Sequence, residues 1–119
     1  GTGTTINPRT DASAYSTRLN QSGGLFSANG AITSAVGMFV TNRVVSTHSM
    51  GFKDGVKLIN ATSASTAVAN GNFRLGSISA SSFRACQFSM GFIAGGLTDQ
   101  EVQDIYDWFQ VYANAVGVV

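Results

Sequence analysis

The chain has 119 residues and carries seven basic residues, six acidic residues and one histidine, for a formal net charge of +1. Hydrophobic residues make up 44%, enough for one small core, but charged residues reach only 11%. So sparse a charge content excludes disorder driven by self-repulsion. It also excludes a helical bundle, whose wet faces need Glu, Lys and Arg. What it favours is a mostly β domain with polar, uncharged outer faces and many turns. No apolar run is long enough to span a bilayer as a helix, so no membrane insertion is expected, and residues 1–30 carry no signal-peptide pattern.

Taken in chain order, residues 1–13 are rich in Gly and Thr, hold the one proline, Pro8, and read as an extended arm or linker. Residues 14–119 are expected to form the folded domain. Short strands are predicted over 15–19 and at Leu25-Phe26, separated by the turn residues Asn20-Gln21-Ser22-Gly23-Gly24 and closed by Asn29-Gly30. The β-branched and aromatic stretch 37–45 predicts a strand, as does 47–53. Asp54-Gly55, set between Phe52 and Val56, is the best hairpin signal in the chain, with 56–59 as the return strand. Residues 60–71 read as a small-polar loop with an edge strand around Val68, and 73–78 as a further strand. In 83–94, Cys86, Phe88, Met90 and Phe92 alternate with Ala85, Gln87, Ser89 and Gly91, so a long strand with one bulky and one bare face is predicted. The bare face asks for a closely packed neighbour, either another sheet or a partner chain.

The helix signal lies at the C-terminus, about 98–116. Thr98-Asp99-Gln100-Glu101 matches a capping box, Leu97 stands where a staple residue would pack on Val102, and Gly117 supplies the stop. Val102, Ile105, Tyr106, Phe109, Tyr112, Ala113 and Val116 form one apolar stripe. Trp108 lies about 100° from the centre of that stripe. An aromatic there could stack on a sugar ring or anchor a protein interface. The plainer reading is a partly buried side chain completing the packing of the helix on the sheet.

No constellation for catalysis is visible. His48 has no neighbouring Cys, Asp or Glu at ligand spacing, so it supports neither a zinc site nor an oriented general base. Four of the six acids (Asp99, Glu101, Asp104 and Asp107) belong to the helix. Asp54 belongs to its turn, which leaves no carboxylate pair for glycoside hydrolysis and no oxygen cluster for calcium. Gly95-Gly96 lacks the lysine and spacing of a phosphate loop. Neither a catalytic residue, a metal ligand nor a cofactor is therefore expected. Cys86 has no internal partner and reads as a small buried hydrophobe. The lack of a disulfide framework fits assembly inside a cell.

Arg9, Arg18, Arg43, Lys53, Lys57, Arg74 and Arg84 all lie within 1–98, opposed there only by Asp11 and Asp54. They are scattered singly, which argues against nucleic-acid binding and for solvated strand residues. Asn20, Asn42, Asn60 and Asn70 could hydrogen-bond sugar hydroxyls, although any turn would use the same residues, so ligand-binding residues stay unassigned. Asn20 and Asn60 also open glycosylation-type triplets, discounted without evidence of secretion.

From Gly37 onward the order of motifs is distinctive. A strand ending in Asn42-Arg43 leads to Phe52-Lys53-Asp54-Gly55-Val56-Lys57-Leu58 and a Ser/Thr-rich loop. Asn72-Phe73-Arg74-Leu75-Gly76 follows, then an aromatic-rich strand and the segment Gly95-Gly96-Leu97-Thr98-Asp99-Gln100-Glu101-Val102 with an aromatic helix behind it. This order resembles the C-terminal part of the concanavalin A-like (laminin-G-like) jelly-roll domains of bacteriophage tail and other virion proteins. The resemblance covers roughly 15–117. It implies an antiparallel β-sandwich with one C-terminal amphipathic helix, working without enzymatic activity on the virion surface as a tail fibre, spike or decoration that binds host-surface glycan or receptor. It also implies assembly in the host cytoplasm, contact with other virion proteins, and completion by further copies or by a complementing second chain, because whole domains of this kind are longer. Two other roles fit the resemblance: a purely structural capsid or tail protein, and the carbohydrate-binding lobe of a polysaccharide-degrading enzyme.

Overall fold

The computed structural model describes residues 3–8, 13–28, 32–68 and 90–118. Within them the chain is mostly β, with six strands in two small antiparallel sheets and one C-terminal helix. The first sheet runs β1 (Gly3–Asn7), β2 (Tyr15–Gln21), β3 (Phe26–Ala28) in that spatial order. The second runs β4 (Phe39–Asn42), β5 (His48–Lys53), β6 (Val56–Thr62).

The β5–β6 hairpin forms where Asp-Gly stands. Lys53 pairs with Val56 across a two-residue loop, and Asp54 and Gly55 both hold positive φ, 51° and 80°. Two left-handed residues give the turn a twist that matches the flanking strands, which is why Asp-Gly is favoured there. The Asp54 carboxylate then ties this turn to the start of β4: it accepts the Met38 N–H at 2.8 Å and pairs with Lys53. The return strand runs three residues beyond its expected end at 59, so Asn60 is a strand residue and not a loop residue.

The β4–β6 sheet lies between two layers. On one face Val40, Met50 and Phe52 pack against Val102 of the helix α1 (Asp99–Ala115), with Met38 and Leu97 at the margin. On the other face Ile59 meets Tyr15 and Ile32, flanked by Phe26, Ala28 and Phe39. The period-two alternation of β5 makes this division: Met50 and Phe52 point at the helix, Gly51 at the β1–β3 sheet. Gly51 is small because it must be. A β-carbon there would stand 2.9 Å from the Tyr15 ring and 3.0 Å from the Thr17 methyl. Tyr15 also donates its hydroxyl to the Val40 carbonyl at 2.8 Å and meets the Phe39 ring at 5.2 Å between centroids, so it fastens one sheet to the other. Its complete burial pushes the phenol well above its ordinary pKa.

Several expectations change at this level. Residues 3–7, expected in an arm, form β1 and pair with β2 of the same chain. Asn20, expected in a turn, lies inside β2 with φ 54°, where the β1–β2 register shifts. Such a bulge needs a residue that tolerates the left-handed region, and asparagine does. The strand expected over 37–45 is confined to 39–42; Val44 and Val45 bend outward and are exposed. Val68 is exposed and belongs to no strand. The strand expected over 73–78 and the stretch 83–89, with Cys86, Phe88 and the bare face of Ala85, Gln87 and Ser89, lie outside the described residues. Residues 90–94 are described and are not a strand; Met90, Phe92 and Ile93 are exposed. The described helix is seated on β4 and β5; of the aromatic strand expected over 83–94, only 90–94 are among the described residues.

Candidate functional site

The helix begins as its sequence dictates. The Thr98 hydroxyl accepts the Glu101 N–H at 3.2 Å, and the Glu101 carboxylate accepts the Thr98 N–H at 2.7 Å, closing the capping box. These two donations from Thr98, backbone first and hydroxyl second, hold the Glu101 carboxyl below the ordinary carboxylate range. One residue earlier, Asn42 at the end of β4 binds Leu97 twice: its amide donates to the Leu97 carbonyl, and its Oδ1 accepts the Leu97 N–H. That fixes the angle at which the chain enters the helix. Lys57 of β6 reaches across to Asp99 and pins the first turn to the sheet. At the other end Gly117, at φ 73°, lets the Val118 and Gly117 N–H groups return to the carbonyls of Ala113 and Asn114, a Schellman stop.

With its ends fixed, the helix buries Val102 and Ala113 and half-buries Ile105, Tyr106 and Phe109. The apolar arc continues past this seat onto an open flank. Trp108 is 80% exposed, which corrects its expected place as a partly buried side chain on the sheet, and Tyr112 is 61% exposed although it was expected in the buried stripe. Beside them an open groove of about 530 Å³ runs along the helix, lined by Met90, Leu97, Ile105, Trp108, Phe109 and Tyr112 with Glu101 and Asp104 at its rim. Trp108 and Tyr112 stand one turn apart, so their rings share one side of the helix. Chemically the groove offers flat aromatic faces and carboxylate acceptors, and no nucleophile or base oriented by a partner.

The other residues weighed from the sequence are placed elsewhere. His48 sits in β5 with its Nδ1 at 3.0 Å from the Thr47 hydroxyl and is not part of the groove lining. Asp54 is held by the Met38 N–H and Lys53, as described above. Among the described residues no group of three His, Cys, Asp or Glu side chains is placed to hold a metal. Asn42 is buried against Leu97, Asn20 lies in the β2 bulge with its side chain accepting from the Thr4 hydroxyl, and Asn70 lies outside the described residues. These asparagines do not converge.

The basic residues are not simply solvated either. The Arg43 guanidinium donates to the carbonyls of Leu19, Ser46 and Ser63, lacing the two sheets together. Arg18 donates to Gly23, and Lys53 and Lys57 face carboxylates. Arg9, Arg74 and Arg84 lie outside the described residues. Among the described helices, none is long and apolar enough to cross a membrane. Comparison of the chain with family models, curated proteins and solved structures returns no match.

Proposed function

We propose that this chain is a non-enzymatic recognition domain of a virion surface, part of a tail fibre, spike or decoration that binds host-surface glycan or receptor. The single observation that carries the reading is the groove beside α1. Exposed Trp108 and Tyr112 provide aromatic faces of the kind that stack on pyranose rings, and Glu101 and Asp104 provide acceptors for sugar hydroxyls. The two facing antiparallel sheets support the sandwich part of the jelly-roll reading, and the motif order from Gly37 to Val102 supports its virion setting.

A glycan array probed with the pure chain tests this. Binding is expected to one class of glycan and to fall at least tenfold in Tyr112→Ala, whose circular dichroism should match the parent. Failure of the parent to bind any glycan would leave the second reading, a purely structural virion protein. That reading is favoured by one feature, the exposed aliphatic side chains Ile93, Val111 and Val118, none of which lines the groove.

A further inference from the structure

The described acids fall into two groups. Away from the groove, Asp54 and Asp99 are ion-paired with Lys53 and Lys57. Around Trp108 the carboxylates are held by uncharged donors instead. Glu101 accepts from the Thr98 backbone and hydroxyl, Asp104 from the Gln100 amide at 2.8 Å, and Asp107 from the Gln103 amide at 2.9 Å. Each is positioned while its charge stays uncompensated. Glu101 and Asp104 line the groove with Trp108, and Asp107 shares a second hollow with Trp108 and Val111, so carboxylates border the exposed indole in both.

No basic residue lines either depression. Among the described residues Arg18 and Arg43 donate to backbone carbonyls, and both lysines face the acids just named. The positive end of the α1 dipole is already answered by Asp99 and Glu101 in its first turn and by the capping box, so it offers an anion little. The groove is therefore aromatic and negative at once.

We infer that its ligand is a glycan bearing a free, protonated amino group, a hexosamine without its N-acetyl cap. The inference rests on the recognition reading above and narrows it from glycans in general to cationic ones. Charge complementarity carries it. A cation over an aromatic face is attracted by the ring quadrupole, and most strongly by that of Trp. An ammonium donating to a carboxylate makes a charge-assisted hydrogen bond. Asp104, Trp108 and Tyr112 recur at four-residue steps on one side of the helix, so a sugar stacked on Trp108 has its substituents within reach of Asp104 one turn earlier. A neutral sugar keeps the stacking and loses both charge terms. A uronate, sialic acid or phosphate-bearing glycan meets three like charges and no cation, which selects against it. The Thr98 donors hold the Glu101 carboxyl below the ordinary range, so its share of the charge persists into mildly acidic solution.

Trp108 is the one tryptophan of the chain, so its fluorescence reports the groove directly. The pure chain is titrated with a tetramer of β-1,4-linked glucosamine, with the fully N-acetylated form of the same tetramer, and with tetragalacturonate. The free amine should bind roughly tenfold more tightly than its acetylated form, and the uronate should not bind. Asp104→Asn combined with Asp107→Asn, with circular dichroism matching the parent, should narrow that ratio to about threefold or less. Acetylated or uronate ligands binding as tightly as the amine, or a ratio untouched by the two asparagines, would overturn the inference and leave the recognition reading standing. Fluorescence unmoved by all three ligands would also overturn it; the glycan array then decides separately whether the recognition reading falls as well.

Discussion

The two faces of the β4–β6 sheet are built from different chemistry. Toward the helix, Val40, Met50, Phe52 and Val102 make a dry apolar layer in which Phe52 and Val102 are wholly buried. Toward the β1–β3 sheet, Tyr15, Ile32 and Ile59 are interleaved with Thr17 and Ser49, both buried. The first layer is held by area removed from water, about 25 cal/mol per Å² of apolar surface. The second needs hydrogen bonds to compensate for burying hydroxyls. Some are made: Tyr15 donates to the Val40 carbonyl at 2.8 Å, and Thr17 donates to the Thr5 carbonyl at 3.2 Å. Others are not. Thr41 and Ser49 have buried hydroxyl oxygens without a partner among the described residues. The helix side is thus where the chain gains stability from packing, and the sheet–sheet side is where close approach and polar pairing fix how the layers meet.

That contrast predicts unequal responses to truncation. The largest belongs to the dry layer. Phe52→Ala empties a site that Met50, Val40 and Val102 cannot collapse into without unseating the helix, and it also removes the ring beneath Lys57. A loss of about 3–5 kcal/mol is expected from the removed area and the cavity together. Urea unfolding, with far-UV circular dichroism following the helix, measures it. A loss below about 1 kcal/mol would mean that the helix draws little stability from this face.

In the polar layer the same kind of truncation should have the opposite sign. Ser49 is fully buried, and its hydroxyl has no partner among the described residues. Removing an uncompensated buried hydroxyl gives back its desolvation cost, so Ser49→Ala is expected to stabilise the fold by about 1 kcal/mol. A destabilisation of similar size in the same unfolding experiment would show that Ser49 has a hydrogen bond worth keeping, and the two layers would then differ less than their composition indicates.

The same contrast explains which parts of the fold were legible in the sequence. The β5–β6 hairpin and both ends of α1 are written in local chemistry, Asp54-Gly55, Thr98 with Glu101, and Gly117, and the structure places each as read. Local codes survive because the residues that satisfy them are neighbours in sequence. The polar layer has no such code: Thr17 and Ser49 are indistinguishable as letters from strand residues that face water. Strand β1 was obscured for the same reason, since a Gly- and Thr-rich pentapeptide becomes a strand only when β2 is there to pair with it.

The groove was half legible. Trp108 was singled out, but its exposure depends on where the sheet stops. The available signal was the width of the apolar arc, which runs from Tyr106 round to Trp108 and Ala115 and exceeds what one seat on a sheet requires. In residues 90–94 periodicity alone gave the wrong element, because alternation describes a strand only where a partner strand completes it.

The smallest expected effect concerns the helix start and responds to pH. The Thr98 N–H and hydroxyl hold the Glu101 carboxyl below its ordinary pKa, so the folded chain binds this proton more weakly than the unfolded chain does. A depressed carboxyl contributes stability that is fully present above the unfolded value, about 4.3, and is lost as pH falls through the folded one. Comparison with Glu101→Gln, which keeps an acceptor but no charge, isolates this contribution. The parent should be slightly the more stable at pH 7, by an amount limited by the full exposure of the side chain. The difference should shrink as pH falls below about 4, as read from paired thermal melts. Because the groove shares Glu101 at its rim, the same titration separates two roles for one residue: a gap that widens as the carboxylate is neutralised would mean that Glu101 is strained against Asp104 and does not serve the cap.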